Sequence, residues 1–463
     1  KNLDIPANSS AFTKIDDTLY FYVDDIGICV VDDELESFEI LVDLSMEKKI
    51  WKEVFSILKH DGKYGILYQS LSDQAYRTVI FDNQKMHGKN KTEITIYDPS
   101  GYIESHCSEE IIASFNETNP DYYVSIMESE RELNYVLVSK KQPDLIILSD
   151  KTANLLGMEG YLEDLTSYLN EDNTGFRDEL IDGLTEKISF DKKIFALPRC
   201  IELQTFCIRS SEVDNMPGWT TDDFFDWLIA DPESLKDSWI GRLQLLRFCL
   251  EGTLEHYVDF DKNECHFNGE DFYRHMRKLK EVIVYPPKDI MPADAGKIRC
   301  ISLGGFMNML MKKDYNDPWI YKGFPTYDGK EKQIMNYNAL SILQASKNKE
   351  GAFEFIKYFV RYRYGDTNFF RTDIPVFQRV IQIAQREHRQ IGENSSNYEA
   401  VGQEEIDMFW KLYNASEVND ISHLDIMDMV IEEAVQYTTD KKELEEVADI
   451  IQKRVQLLLN ERK

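Results

Sequence analysis

Apolar and polar positions follow two rhythms along this chain, and the change falls near residue 90. Before it come short β-type runs at 19–23, 27–31, 39–42, 65–69 and 78–81. Turn groups such as Asp24-Asp25, Asp32-Asp33 and Asp61-Gly62-Lys63 separate them. Short strands with close turns predict an antiparallel sheet, and these pieces resemble partial blades of a β-propeller. Residues 82–93 are polar and read as a linker.

After the linker the rhythm alternates strand with helix. Ile94, Thr95, Ile96 and Tyr97 fit a short buried strand, broken by the turn residues Asp98, Pro99, Ser100 and Gly101. Ile111, Ile112 and Phe115 share one face of a helix that Asn119-Pro120 ends. A strand at 123–127, another helical stretch and a strand at 145–148 complete a βαβαβ unit, which predicts a parallel sheet. Ligands of such sheets sit beyond the carboxyl ends of the strands, here the loops 98–101 and 149–151.

Further on, 188–198 reads as a hairpin about Asp191-Lys192-Lys193, and 201–210 as a strand. Thr220 with Asp223 predicts a capping box before a helix over 221–229. Helices follow at 238–250 and at 269–284, the latter with Asn268 as N-cap. A strand at 298–303 runs into Gly304-Gly305, where a starting helix would leave backbone N–H groups free. Strands are expected at 320–324, 334–337 and 340–343. Asn348 opens a helix with Ala352, Phe353, Phe355, Ile356, Phe359 and Val360 on one face. From Pro375 the chain reads as helical, interrupted by a loop at 392–397. The last helix stacks Leu444, Val447, Ile451, Val455 and Leu458.

Composition narrows the function. The 463 residues suffice for two or three domains, and 43% apolar with 29% charged describes a globular chain. No apolar run is long enough to span a bilayer. A net charge of −30 sets the chain against nucleic acid and anionic lipid as partners. Seven cysteines, Cys29, Cys107, Cys200, Cys207, Cys249, Cys265 and Cys300, show no metal-ligand spacing. The eight histidines do not cluster either, so neither metal nor cofactor is expected. No nucleophile, zinc-protease or phosphate-loop motif is present.

Eight segments, in order, resemble the extracellular solute-binding proteins of the maltose-binding type, the capture subunits of ABC importers. They are EEIIASFNETNPDYYVSI, QPDLIILSD, GYLEDLTSYLNED, KKIFALPRCIELQTFCIRSSEV, AGKIRCISLGGFMNM, GFPTYDGK, ALSILQASKNKEGAFEFIKYFV and DKKELEEVADIIQKRVQLLLNE. They span residues 94–463; residues 1–90 have no counterpart in the family's minimal form. The resemblance implies an α/β, two-lobed periplasmic-binding-protein-like fold of type II behind a small β-rich segment. Lobe 1 is then 91–202 plus 323–375, and lobe 2 is 203–322 plus 376–463. ALPRCIELQ and KGFPTYDGK would be the crossings between lobes. It also implies a binding protein rather than an enzyme. Such a protein would be a monomer tethered outside the cell as a lipoprotein, passing a small solute, a mono- or oligosaccharide, to ABC permease subunits. A surface sensor or adhesion protein, with the β-rich segment as docking module, is the alternative; a glycosidase is a distant third.

The candidate ligand-binding residues follow from that frame, each beside a plainer reading. Ser100, Gly101 and Tyr102 either hydrogen-bond ligand or make an ordinary turn. Ser149 and Asp150 hold the equivalent place after the third strand, where Asp150 either accepts from a hydroxyl or caps the next helix. Arg199 and Glu202 stand at the first crossing, facing an anionic ligand or bridging to each other. Trp239 either stacks on a sugar face or lies in a core. Gly304, Gly305 and Phe306 let ligand approach the backbone or permit a turn. Phe324, Tyr327 and Tyr337 surround the return crossing, and one of these aromatics is expected to touch ligand.

Overall fold

The computed structural model describes residues 5–24, 26–32, 37–44, 51–70, 76–81, 91–99, 108–127, 133–139, 142–213, 218–236, 238, 240–285, 296–310, 317–363, 369–387, 389–390, 398–418 and 423–461. The first rhythm folds as two antiparallel sheets. One orders Ser9–Ile15 (β1), Thr18–Val23 (β2), Gly27–Val31 (β3) and Phe38–Asp43 (β4); the other orders Trp51–His60 (β5), Lys63–Ser70 (β6) and Tyr76–Phe81 (β7). Tyr20, Tyr22 and Ile28 pack with Val54, Ile57 and Ile66 in a core between the sheets. Phe21, Val23 and Cys29, at the alternate positions, point away from it into a cluster with Phe38.

The βαβαβ unit forms as Thr92–Tyr97 (β8), Ser108–Thr118 (α1), Tyr122–Ile126 (β9), Leu133–Leu137 (α2) and Leu145–Ser149 (β10), followed by Asp150–Met158 (α3). β8 pairs in parallel with β9 and β10. Asn119 turns the chain after α1, its Oδ1 accepting from the N–H of Asp121 (3.0 Å) and Tyr122 (2.9 Å).

The remaining main elements are, in chain order, Leu197–Pro198 (β11), Cys200–Arg209 (β12), Thr221–Ala230 (α4), Arg242–Tyr257 (α5), Glu270–Glu281 (α6), Ile298–Leu303 (β13), Phe306–Leu310 (α7) and Trp319–Tyr321 (β14). Then come Gln333–Asn336 (β15), Asn338–Ile342 (β16), Lys349–Arg361 (α8), Phe370–Arg371 (β17), Ile374–Arg386 (α9), Gln403–Asn414 (α10), Ser416–Val418 (β18), Leu424–Thr438 (α11) and Leu444–Glu461 (α12). The first large sheet has the order β11-β16-β10-β8-β9 and is mixed, because β16 runs antiparallel to β10. The second is β13-β12-β15-β18, with β14 and β17 also on β12. One core joins the first sheet, α1 and α8 to the aromatic group Phe306, Phe377 and Phe409. The other packs α4, α5, α6, α11 and α12 against Phe206 and Ile208 of β12.

Two threads link the sheets, side by side, and β17 is bonded beside them. β11 pairs in the first sheet and β12 in the second, with Arg199 between them. β15 and β16 do the same in reverse, with Tyr337 between. Pro198 pairs with Ala339 and Glu202 with Asn336, while the intervening Cys200 and Ile201 pair with Arg371 and Phe370 of β17. Arg371 is fully buried and donates to the carbonyls of Arg199, Val360 and Tyr362. The return crossing expected at 322–330 is therefore displaced. There Phe324 lies fully buried in the second core, its N–H on the Lys332 carbonyl at 2.7 Å, and Trp219 donates to the Gly323 carbonyl at 2.9 Å. Gly323, at φ +77°, makes a tight turn within the second half.

Three local expectations also shift. The hairpin at 188–198 reduces to one Phe190–Lys193 bridge about left-handed Asp191 and Lys192. The helix placed at 238–250 is Arg242–Tyr257, and Gly269 rather than Asn268 is the N-cap of α6. The α4 capping box of Thr220 and Asp223 is present as read. The 392–397 loop and Cys107 lie outside the described residues.

Candidate binding cleft

Where the threads pass between the sheets, one face of β12 changes character. Phe206 and Ile208 face the helices of the second core. Two and four residues nearer the hinge, the same face carries Gln204 and exposed Glu202. Asn336 sits directly opposite Glu202, and Ser302 opposite Gln204. Ser302 Oγ donates to Glu202 Oε2 at 2.6 Å. A Cβ built on Gly304 would lie 3.5 Å from Glu202 Cγ and 3.7 Å from Cδ1 of half-buried Phe369. A carboxylate and an aromatic ring thus converge on a residue with no side chain, leaving space between them.

The first half contributes the start of α3. Ser149 ends β10 and caps the helix, its Oγ accepting from the Thr152 N–H at 3.3 Å. Asp150, 3% exposed, gives its N–H to the Tyr337 carbonyl at 3.0 Å, which ties the helix to the hinge. Its Oδ2 has no hydrogen-bond partner. Burial, reinforced by the charge of Glu251 on α5, pushes this carboxyl up to about 6 against the pull of Lys151 and nearby backbone N–H groups. Burial and the Asp150 charge likewise push the Tyr337 hydroxyl far above its ordinary range.

The second half faces it with charge. Glu251, Glu255, Lys332, Glu417, His423 and Met427 help to line a cavity of about 80 Å³. Lys332 pairs with Glu417 at 3.0 Å. Burial raises the Glu251 carboxyl while Lys151, Lys332 and Arg247 draw it down, so Glu251 is coupled both to its own half and to α3. Among the described residues no group of three acidic, histidine or cysteine side chains is placed to hold a metal ion.

The fold that frames this cleft is also found in known structures. The chain is similar to an ABC substrate-binding protein from Listeria monocytogenes, in complex with cycloalternan (TM-score 0.53, 14% identity, 80% of this chain and 99% of that one). It is similar to the cyclic alpha-maltosyl-1,6-maltose binding protein from Arthrobacter globiformis (0.54, 12%, 80% and 100%) and to the sugar-binding protein MalE of Xanthomonas citri (0.53, 11%, 80% and 98%). This is the two-lobed fold of the maltose-binding-type solute-binding proteins. No protein-family model and no curated protein sequence matches the chain.

Within the solute-binding fold, the expected residues separate into groups. Glu202, Gly304, Asp150 and Ser149 come to the hinge end, although Ser149 and the Gly304-Gly305 N–H groups are already occupied. Asn308 Oδ1 accepts from both glycines at 3.1 Å. Tyr337 is in the hinge, 5% exposed. Arg199 is fully buried with its guanidinium 5.5 Å over the Phe359 ring, and Glu202 takes its bond from Ser302 instead. Phe306 stacks on Phe377 and Phe324 packs on Phe206, both inside cores, because each continues an apolar row of its element. Tyr327 stacks on His256 at 3.4 Å. Ser100, Gly101, Tyr102 and Trp239 lie outside the described residues. Sequence reasoning missed Phe369, Ser302, Asn336 and Glu251. Only strand pairing brings the first three together, and Glu251 reads as an ordinary helical surface carboxylate.

Proposed function

We propose that this chain captures a small carbohydrate in the cleft at its hinge and presents it to an ABC importer. The observation that carries this reading is the polar floor of Glu202, Ser302 and Asn336 beside Phe369, set where the threads join two halves. Carboxylate and hydroxyl groups suit sugar hydroxyls, and an aromatic ring suits the C–H face of a sugar. The solved structures of the same fold named above are described as binding cycloalternan, cyclic maltosyl-maltose or sugar. The work is differential binding: contacts made only when the lobes close favour the closed state, and the importer reads that state. No chemistry is assigned. The protein would act outside the cell as a tethered lipoprotein monomer. Calorimetric titration with a panel of mono- and oligosaccharides tests this reading: at least one should bind, and Glu202→Ala should abolish the heat. A panel with no binder would sink it. The β-rich segment, which has its own core, favours a second reading as a surface sensor or adhesion protein. A gene neighbourhood without permease genes would decide for that one.

A further inference from the structure

The fold does not require Gly304 to be glycine. Elsewhere it does. A Cβ on Gly157, Gly252 or Gly351 would lie 2.2, 2.1 or 2.4 Å from a neighbouring ring or carbonyl, and Gly27, Gly218 and Gly323 hold left-handed φ angles. At Gly304 neither reason applies. Its φ is not left-handed, and a Cβ would meet Glu202 Cγ at 3.5 Å, Glu202 Oε1 at 3.6 Å and Phe369 Cδ1 at 3.7 Å, all ordinary contacts. Hydrogen bonds pin the chain there instead. The Gly304 N–H donates to Asn308 Oδ1 at 3.1 Å, and its carbonyl accepts from the Phe370 N–H at 2.7 Å. With the N–H already taken, what this glycine offers a guest is room.

Strand register places that room in the cleft floor. Ile298, Cys300 and Ser302 of β13 stand opposite Ile208, Phe206 and Gln204 of β12, and the next pair on the same face is Gly304 with Glu202. Asn336 flanks Glu202 on its other side. Side chains therefore shrink along β13, from the second core toward the hinge, while β12 gains a charge. Ser302 donates to Glu202 Oε2, and Oε1 is the oxygen beside the missing side chain. Gly304 is itself buried between exposed Glu202 and half-buried Phe369, so the recess is narrow.

We propose that Gly304 is the specificity-determining residue of the cleft. Its missing side chain makes a recess for the edge of one neutral sugar ring, which donates a hydroxyl to Glu202 Oε1 and lays its C–H face on Phe369. The inference rests on the carbohydrate reading above and adds which sugars are admitted. A uronic acid would set carboxylate against carboxylate, and Arg199, a cation that could have met it, is fully buried over the Phe359 ring. An alanine methyl would lift the ring by about 1.5 Å, the length of one carbon–carbon bond, and so break a hydroxyl–carboxylate bond.

Calorimetric titration of the intact chain and of Gly304→Ala with maltotriose, cellotriose, xylotriose and trigalacturonate tests this. At least one neutral trisaccharide should bind and trigalacturonate should not. Gly304→Ala should weaken the neutral sugar by about tenfold or more. Its melting temperature without ligand should hold level or rise slightly, as expected where the backbone suits alanine. Undiminished neutral binding in Gly304→Ala overturns the proposal and leaves the carbohydrate reading standing. A lowered melting temperature does the same, because the glycine then serves the fold. Binding of trigalacturonate as tight as that of the neutral sugar also overturns it. Silence from all four sugars sinks the carbohydrate reading and the proposal with it.

Discussion

Asp150 shows how one side chain can be read from two sides. As the residue after a buried strand it is legible in the sequence as a candidate acceptor; that Ser149, its neighbour, takes the capping role instead is visible only in the helix start. Its folded carboxyl sits near 6, above the ordinary value of 3.8. A group raised on folding binds its proton more tightly in the native state. Its ionisation therefore costs stability, and the cost appears as pH rises from about 4 to about 6, reaching at most about 3 kcal/mol. Asp150→Asn should thus stabilise the unliganded chain at neutral pH by about 1–3 kcal/mol and flatten the denaturation profile across that window. Urea titrations at several pH values measure it, and an unchanged slope would show that Asp150 is not desolvated. Phe369 makes the complementary case. Removing its ring, which belongs to neither large core cluster among the described residues, should weaken sugar binding by about tenfold or more while lowering the melting temperature only slightly.

Among the elements, strands and helices were legible wherever their periodicity was strong. The βαβαβ unit, the α4 cap and the C-terminal helix α12 lie where apolar spacing puts them. The return crossing was not legible. A Gly-Pro stretch between apolar runs looks the same whether it turns inside one sheet or passes between two, and only pairing of Asn338–Ile342 with β10 tells them apart. Cleft residues were half legible for a related reason: Glu202 announces itself at a crossing, but Ser302 and Asn336 become neighbours through register alone. At this scale the anchoring of α8 can be tested. Lys357 is 7% exposed and bonds Asp172, 5% exposed, at 2.8 Å. Burial pushes the Asp172 carboxyl up, yet bonds from Lys357, Thr174 and the Phe176 N–H outweigh it and hold it at about 2. Lys357→Met would strand that carboxylate and should cost about 3–5 kcal/mol. The loss should be largest above about pH 4 and shrink as acid protonates Asp172, because a depressed pKa gives its stability above the unfolded value. Chemical denaturation of the pair of proteins across acid pH reports the difference.

For the whole molecule, the N-terminal sheets stand apart in their packing. Their two clusters draw only on residues before residue 80 among those described, so the large lobes do not rely on them for a core. A chain lacking residues 1–90 should fold and bind ligand within about twofold of the full chain. Calorimetry on both chains decides this, and a lost or much weakened affinity would make the β-rich part a member of the site. Ligand should also compact the full chain in solution scattering if closure accompanies binding.

The strand that begins at Cys200 does not stop at the hinge. It runs unbroken to Arg209 in the centre of the second sheet, a rigid lever of about 30 Å. With the returning thread and β17 both bonded to it near its root, it can tilt but has little freedom to wander. A tilt of about 15°, typical of rigid-body transitions, would sweep its tip through roughly 8 Å. A guest the size of a sugar ring could in this way announce its presence on the outer rim, where a membrane partner could feel it.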